Sequence, residues 1–198
     1  LDSLFPARTK VSRTRHFAAL PWKDMRPFMT SLEAQAGVGA LALRFTILTA
    51  ARSGEVRGMV WDEVDLSARL WVVPAERMKA GREHRIPLSD AAVALLRQQE
   101  QALLAGTNVV FPSVRDHKPL SDMTLTAVLR RMQRNDLTVH GFRSTFRDWA
   151  AEATDYPQEM AEMALAHVVS NKVEAAYRRG DMLEKRREMM QKWAEFIL

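Results

Sequence analysis

Apolar residues recur at helical spacing through most of this chain of 198 residues, and one stretch near its middle breaks the pattern. Met25, Phe28 and Leu32, for example, would share one face of a helix. The exception is a pair of short apolar runs, residues 70–73 and 85–88, which enclose a polar turn and predict a β-hairpin. The chain is therefore expected to adopt a mainly α fold with a small β-sheet, of the α+β class.

Capping residues and glycines divide the helical part into segments. Helices are expected over about 21–36, 40–50, 54–60, 89–104, 121–135, 138–153, 157–166, 170–180 and 181–196, with a further short strand at 109–111. Residues 1–20 are polar and basic and are predicted to be a linker or an extended lead-in, and residues 21–198 one domain.

Composition narrows the classes of function. The chain has no cysteine, which excludes disulfides and thiolate metal sites. No apolar run approaches the length that spans a bilayer, and no pair of histidines has helical metal-ligand spacing beside a carboxylate. The net charge of +5 favours a polyanionic partner, because Lys and Arg near phosphates release counterions.

Six residues along the chain form a set that could carry chemistry: Arg52, Lys79, His140, Arg143, His167 and Tyr177. Each alone is more often a surface or packing residue. Together they could cleave a phosphodiester without a metal. Two arginines can clamp the non-bridging oxygens, the tyrosine oxygen can attack phosphorus, histidine can move protons near neutral pH, and a lysine on a turn can protonate the leaving oxygen.

Four segments resemble the signature boxes of the tyrosine recombinases, in that family's order. They are TAARSGE with VWDEVD (49–55 and 60–65), MKAGREHRIPL (78–88), VHGFRSTF (139–146), and LAH with AYRR (165–167 and 176–179). The sequences of these segments are most similar to those of integrases of prophages and genomic islands in Gram-negative bacteria. The resemblance runs from about residue 40 to the C-terminus and implies the DNA breaking-rejoining fold of a tyrosine recombinase catalytic domain.

The resemblance also implies how strand cleavage would proceed. Arg52 and Arg143 would hold the scissile phosphate, and Tyr177 would attack it, leaving a 3′-phosphotyrosine and a free 5′-hydroxyl. A 5′-hydroxyl from another strand could then reverse the step without ATP. The implied activity is site-specific DNA recombination and integration, with no metal or cofactor.

The remaining residues of the boxes would move protons or orient their neighbours. The resemblance assigns Lys79 as the donor to the 5′ oxygen and His140 as the acceptor of the tyrosine proton. It assigns His167 a hydrogen bond to a phosphate oxygen and Glu55 an orienting role. The boxes depart from the commoner family pattern at Ala50-Ala51 and at Ala166, where glycine is usual before the last histidine; these residues are also small.

Double-stranded DNA at attachment sites is the partner that the resemblance implies. Candidate contacts to the DNA backbone are Arg130, Arg131, Arg134, Arg147 and His84. Relatives act as oligomers on DNA, which implies a tetrameric synapse, whereas this chain alone is expected to be monomeric. In relatives a DNA-clamping domain, and sometimes an arm-binding domain, precedes the catalytic domain, and neither is found in these 198 residues. The implied location is the bacterial cytoplasm, beside the nucleoid and away from membranes.

Three interpretations stay open from the sequence. A type IB topoisomerase uses the same chemistry but rejoins the strand it cut. A catalytically silent DNA-binding module is a further class, although all six residues are intact.

The last helix, with Met189, Trp193 and Ile197, could be part of its own domain's core or dock on a second copy.

Overall fold

The computed structural model describes residues 18–102, 106–167 and 180–198. Within these ranges the chain forms eight α-helices and one small sheet. The helices are α1 (Met25–Glu33), α2 (Val38–Thr49), α3 (Ser53–Arg57), α4 (Asp90–Gln101), α5 (Thr124–Arg131), α6 (Gly141–Ala153), α7 (Gln158–Ala164) and α8 (Leu183–Ile197). The helix predicted over 170–180 begins among residues 168–179, which lie outside the described residues.

The sheet contains the predicted hairpin and one strand that the sequence patterns missed. Strands β1 (Val64–Asp65), β2 (Leu70–Val73) and β3 (His84–Pro87) pair antiparallel in that order. The strand predicted at 109–111 is wrong, because Val109 makes only an isolated bridge to Val60. The nearby Pro112 has no amide hydrogen with which to extend that pairing.

Helix α2 lies at the centre of the molecule and contacts α1, α3, α4, α5 and α8. Its buried residues include Leu43, Phe45, Ile47 and Leu48, which together cover most of its circumference. A helix that is apolar all round is a core helix, as its sequence predicts. The other helices pack around it, so that its two ends face different parts of the surface.

Helix α6 starts where the backbone at Gly141 passes close to the backbone at Ala18. A Cβ atom at Gly141 would lie 2.1 Å from the carbonyl oxygen of Ala18, so only glycine fits there. The Thr138 hydroxyl, just before this helix, accepts a hydrogen bond from the Gly141 amide at 3.0 Å. Arg143 therefore sits in the first turn of a helix whose start is fixed by backbone packing.

Helix α8 packs on its own domain. Its buried face includes Met189, Met190, Trp193 and Ile197, and the Trp193 indole donates to the Ile47 carbonyl at 2.9 Å. The core interpretation of this helix therefore describes the structure, in which the apolar face is already covered.

Asp181 fastens the start of this helix to the sheet. Its carboxylate accepts two hydrogen bonds from Arg85 on β3, at 2.9 and 2.7 Å, and one from the buried Arg186 at 2.9 Å. Arg186 also donates to the Arg85 carbonyl at 2.8 Å.

No helix in the described part of the chain is long and apolar enough to cross a membrane.

We predict that Trp193→Ala lowers the free energy of unfolding by about 3–5 kcal/mol, the usual cost of truncating a buried tryptophan. Urea unfolding followed by circular dichroism would measure this. Lys185→Ala, at an exposed position of the same helix, is the matched control and should change stability by less than about 0.5 kcal/mol. Equal stability of the two variants would contradict the core assignment of α8.

Candidate active site

A polar cleft of about 330 Å³ lies where the end of α2, the start of α3 and the start of α6 meet the segment after β2. Its lining residues are Arg52, Ser53, Gly54, Glu55, Arg77, Lys79, Val139, His140 and Arg143. Four of the six residues singled out from the sequence therefore share one cleft. His167 contacts Arg143 at its edge, and Tyr177 lies outside the described residues.

The Arg143 guanidinium is held between the carboxyl ends of two helices. It donates to the Ala50 carbonyl, just after α2, and to the Leu165 carbonyl, just after α7, at 2.5 Å each. Helix carboxyl ends carry partial negative charge, which stabilises a buried cation. Only 4% of Arg143 is exposed, so these contacts fix its position before any ligand arrives.

Arg52 is oriented by Glu55 and by a third carbonyl. The Glu55 carboxylate accepts from the Arg52 side chain at 2.8 Å and from the Arg52 backbone amide at 2.9 Å. The other end of the guanidinium donates to the Ala166 carbonyl at 3.2 Å. Arg52 occupies the N-cap of α3. The buried Glu55 therefore orients both the side chain and the backbone of Arg52.

Two alanines with left-handed backbone conformation aim these carbonyls. Ala50 has φ 50° and Ala166 has φ 49°. For a residue other than glycine this conformation costs roughly 1–2 kcal/mol. Both are the positions at which the sequence departs from the commoner family pattern, and each supplies a carbonyl to one of the two arginines.

The site is electrostatically positive. Burial, and next to it the charge of Arg52, lower the pKa of Arg143 to about 10. Burial, then the charges of Arg143, Arg52 and His167, lower the pKa of His140 below its ordinary value. The cleft therefore suits an anion such as a phosphodiester, and it keeps the His140 ring neutral and able to accept a proton at neutral pH.

Arg77 is a cleft residue that the sequence reasoning missed. Its guanidinium pairs with Glu63 and donates to the Glu55 carbonyl, while Glu63 also accepts from the Trp71 indole at 3.0 Å. It thus ties the segment that carries Lys79 to α3. No local pattern in the sequence pointed to Arg77, because its role depends on contacts with Glu63 and Glu55 that form only after folding.

The arginines predicted to contact DNA do not form one group. Arg131 donates to the Gln35 side chain at 3.2 Å and to the Ala36 carbonyl at 3.1 Å, just before α2. Helix α2 has 12 residues, so its far end lies about 18 Å away, and the cleft is at that end. Arg134 pairs with Asp136 on the surface, and Arg130 is exposed.

Two further candidates lie close to the cleft. Arg147 is on α6, one turn after Arg143, and forms an ion pair with Glu162. The His84 Nε2 atom lies 3.2 Å from the Ala164 carbonyl, so this ring packs the hairpin against α7. That placement gives His84 a packing role, and its contact with the DNA backbone stays a prediction.

Among the described residues, no group of three or more His, Cys, Asp and Glu side chains is placed to hold a metal ion. Beside the Glu55 carboxylate, the cleft presents guanidinium, ammonium and imidazole groups. All three can bind oxygen anions, and the ammonium and imidazole groups can also transfer protons.

Comparisons with known proteins point to one family. The model of the family described as "Phage integrase family" matches residues 19–184. Prophage integrase IntA of Escherichia coli K12 is 40% identical over 153 residues, covering 76% of this chain and 37% of IntA. The integrase of Enterobacteria phage P4 is 33% identical over 206 residues, covering 94% of this chain and 47% of that protein. The chain thus spans about a third to a half of the length of these relatives.

Solved structures share the fold. A lambda integrase tetramer bound to a Holliday junction superposes with a TM-score of 0.61 at 20% identity, covering 83% of this chain and 51% of that one. The XerA recombinase superposes with a TM-score of 0.60 at 13% identity, covering 96% of this chain and 69% of that one. The expected breaking-rejoining fold, mainly α with a small sheet, is confirmed.

We predict that His84 makes the fold sensitive to acid. Burial, followed by the charge of Arg186, lowers its pKa to about 4, whereas an unfolded histidine titrates near 6.5. The unfolded chain therefore binds the proton first, and stability is full above about pH 6.5 and falls as the pH drops towards 4. The loss from this group should be roughly 2–3 kcal/mol.

Urea unfolding at pH 7.0 and 4.5 would measure this loss. His84→Asn should reduce the difference between the two pH values, while His117→Asn, at an exposed position, should leave it unchanged. The same pH difference in His84→Asn as in the parent chain would show that other groups cause it.

Proposed function

Because the chain belongs to the phage integrase family, we propose that residues 21–198 form the catalytic domain of a tyrosine recombinase, with residues 1–20 as its lead-in. Its activity is site-specific integration of DNA by strand cleavage and rejoining. The observation that supports this most strongly is the pair of guanidiniums, Arg52 and Arg143, held by carbonyls in one cleft with Lys79 and His140.

Phosphate binding is the first step of the proposed reaction. Arg52 and Arg143 donate to the non-bridging oxygens of the scissile phosphate, whose charge the positive cleft favours. Their carbonyl contacts leave them little freedom to lose when the phosphate binds, so the binding energy is kept for the charge that develops during attack.

Strand cleavage is the second step of the proposed reaction. The Tyr177 oxygen forms a bond to phosphorus as the bond to the 5′ oxygen breaks. His140, neutral at neutral pH, accepts the tyrosine proton, and Lys79 gives a proton to the departing 5′ oxygen. The product is a 3′-phosphotyrosine, and a 5′-hydroxyl from another strand reverses the step by the same route.

The partners proposed for the chain are duplex DNA and further copies of itself. Relatives of known structure include a lambda integrase tetramer on a Holliday junction and a dimer on a COC′ core site. By analogy the chain would act as a tetrameric synapse at attachment sites, beside the bacterial nucleoid. Alone, it is expected to be monomeric and to bind DNA weakly.

We predict that Tyr177→Phe abolishes covalent attachment to a nicked suicide duplex, because phenylalanine has no nucleophilic oxygen. Denaturing gel electrophoresis of protein with labelled DNA would show the adduct. Tyr156→Phe is the matched control, since the chain has two tyrosines and the Tyr156 hydroxyl contacts the exposed Glu188 at 3.3 Å. It should form as much adduct as the parent chain.

Each other result has a distinct meaning. Adduct that persists in Tyr177→Phe would refute the assigned nucleophile. DNA binding with no adduct in any variant would indicate a silent binding module. Relaxation of supercoiled DNA without two-site recombination would indicate a topoisomerase.

We predict that replacing Arg130 and Arg131 together with alanine weakens duplex binding and makes it less dependent on salt. Each lost phosphate contact should reduce the slope of log affinity against log salt by about 0.9. Fluorescence anisotropy between 50 and 200 mM salt would measure both quantities. Arg97→Ala, exposed on α4, is the control. Unchanged affinity and slope in the double variant would show that these residues do not contact DNA.

A further inference from the structure

Glu162 lies between His167 and Arg147, two residues proposed for catalysis and DNA binding. It is on α7, and its side chain is 19% exposed. One carboxylate oxygen lies 2.6 Å from the His167 Nδ1 atom, and the other lies 2.7 Å from the Arg147 Nε atom. A carboxylate that holds one ring nitrogen of a histidine fixes both the ring's orientation and the position of its proton.

The contacts of His167 determine its tautomer in the DNA-free protein. Its Nε2 atom lies 3.2 Å from Arg143 Nη2, and a guanidinium nitrogen can only donate. The Nε2 atom must therefore be bare and act as the acceptor. The ring proton is then on Nδ1, from which it is donated to Glu162.

This arrangement cannot persist when a phosphate is bound. The two hydrogens on Arg143 Nη2 are used by the Leu165 carbonyl and by His167. A two-pronged grip on a phosphate uses Nη2 together with either Nε or Nη1, so the phosphate displaces one of these two acceptors. The contact with His167, at 3.2 Å, is longer than the contact with the Leu165 carbonyl, at 2.5 Å, and is therefore the one that gives way. Among the described residues, the buried Arg143 Nε atom has no hydrogen-bond partner, so its hydrogen is not committed to another acceptor there.

Once released, His167 Nε2 faces phosphate oxygens, which can only accept hydrogen bonds. The ring can donate to them only if Nε2 gains a proton while Nδ1 keeps its own. Among the described residues, the charged and titratable groups around it are Arg143 and His140 near the cleft, Arg52 on the adjacent Ala166 carbonyl, and the Glu162–Arg147 pair. The Glu55 carboxylate pairs with Arg52, whereas Glu162 contacts the ring itself and therefore stabilises the doubly protonated form.

We propose that Glu162 is a positioning residue that lets His167 take up one proton from solvent when phosphate binds and then donate to the phosphate. This inference rests on the proposed function, in which His167 contacts the scissile phosphate. The proton is bound from water, and no other bond forms or breaks.

Two variants separate charge from hydrogen bonding. Glu162→Gln keeps an oxygen that can accept from Nδ1 but removes the negative charge, and Glu162→Ala removes both. Glu100→Gln is the matched control, because it makes the same chemical change at an exposed position on α4. Thermal unfolding of all three would identify any variant whose fold is damaged.

The first measurement does not need cleavage. Calorimetry of duplex binding in buffers of different ionisation enthalpy, with Tyr177→Phe as the parent, counts the protons taken up. We expect close to one proton per site for the parent and for Glu100→Gln, and less than half of that for Glu162→Gln. Nitrogen-15 NMR of the DNA-free chain should show the His167 proton on Nδ1 in both the parent and Glu162→Gln. Equal proton uptake by Glu162→Gln and the parent, or a bare Nδ1 in the parent, would overturn the proposal.

The second measurement is single-turnover cleavage of the nicked duplex at saturating protein. We expect Glu162→Gln to slow adduct formation about tenfold, and Glu162→Ala more, with duplex affinity within about threefold of the parent. A parent-like rate in Glu162→Gln would overturn the positioning role. If the parent itself forms no adduct, the proposed function fails, while the proton count and the NMR result still decide the role of Glu162.

Discussion

The buried guanidinium of Arg143 sets the arrangement of the elements around it. A cation taken out of water is costly unless its hydrogen bonds are replaced, and here the carbonyls that end α2 and α7 replace them. The contact joins α6 to the next helix, α7, and to the distant α2, since Arg143 is 22 residues from Leu165 and 93 from Ala50. One interaction therefore stabilises the packing of α6 and creates the positive end of the cleft.

Local patterns in the sequence predicted the elements well and their ends less well. The hairpin, the central helix α2 and the final helix α8 follow directly from apolar spacing. Helix α5, expected over 121–135, ends at Arg131, and Gln133 just beyond it has φ 59°. A left-handed residue of this kind reverses the chain without leaving a mark in hydrophobic periodicity, so such ends cannot be read from spacing alone.

The site was predictable as a set of residues but not as a network. The signature boxes identified Arg52, Lys79, His140 and Arg143, and these share the cleft. The supporting residues could not be identified in the same way. Arg77 acts through Glu55 and Glu63, and Glu162 through His167, so each depends on contacts that form only after folding. Conversely, Arg131 and Arg134 are close to α6 in the sequence but lie towards the opposite end of α2.

The left-handed backbone conformation of Ala50 and Ala166 affects which residues can replace them during evolution. Glycine at Ala166 would relieve the conformational cost of φ 49°, roughly 1–2 kcal/mol, but it would also give the unfolded chain more freedom, which costs about 0.4–1 kcal/mol. They act in opposite directions, and the carbonyl that holds Arg52 belongs to the backbone and is present with either residue. Exchange between glycine and alanine therefore changes stability by only about 1 kcal/mol at this position, in favour of glycine, and a lineage can drift from one to the other without passing through an inactive intermediate.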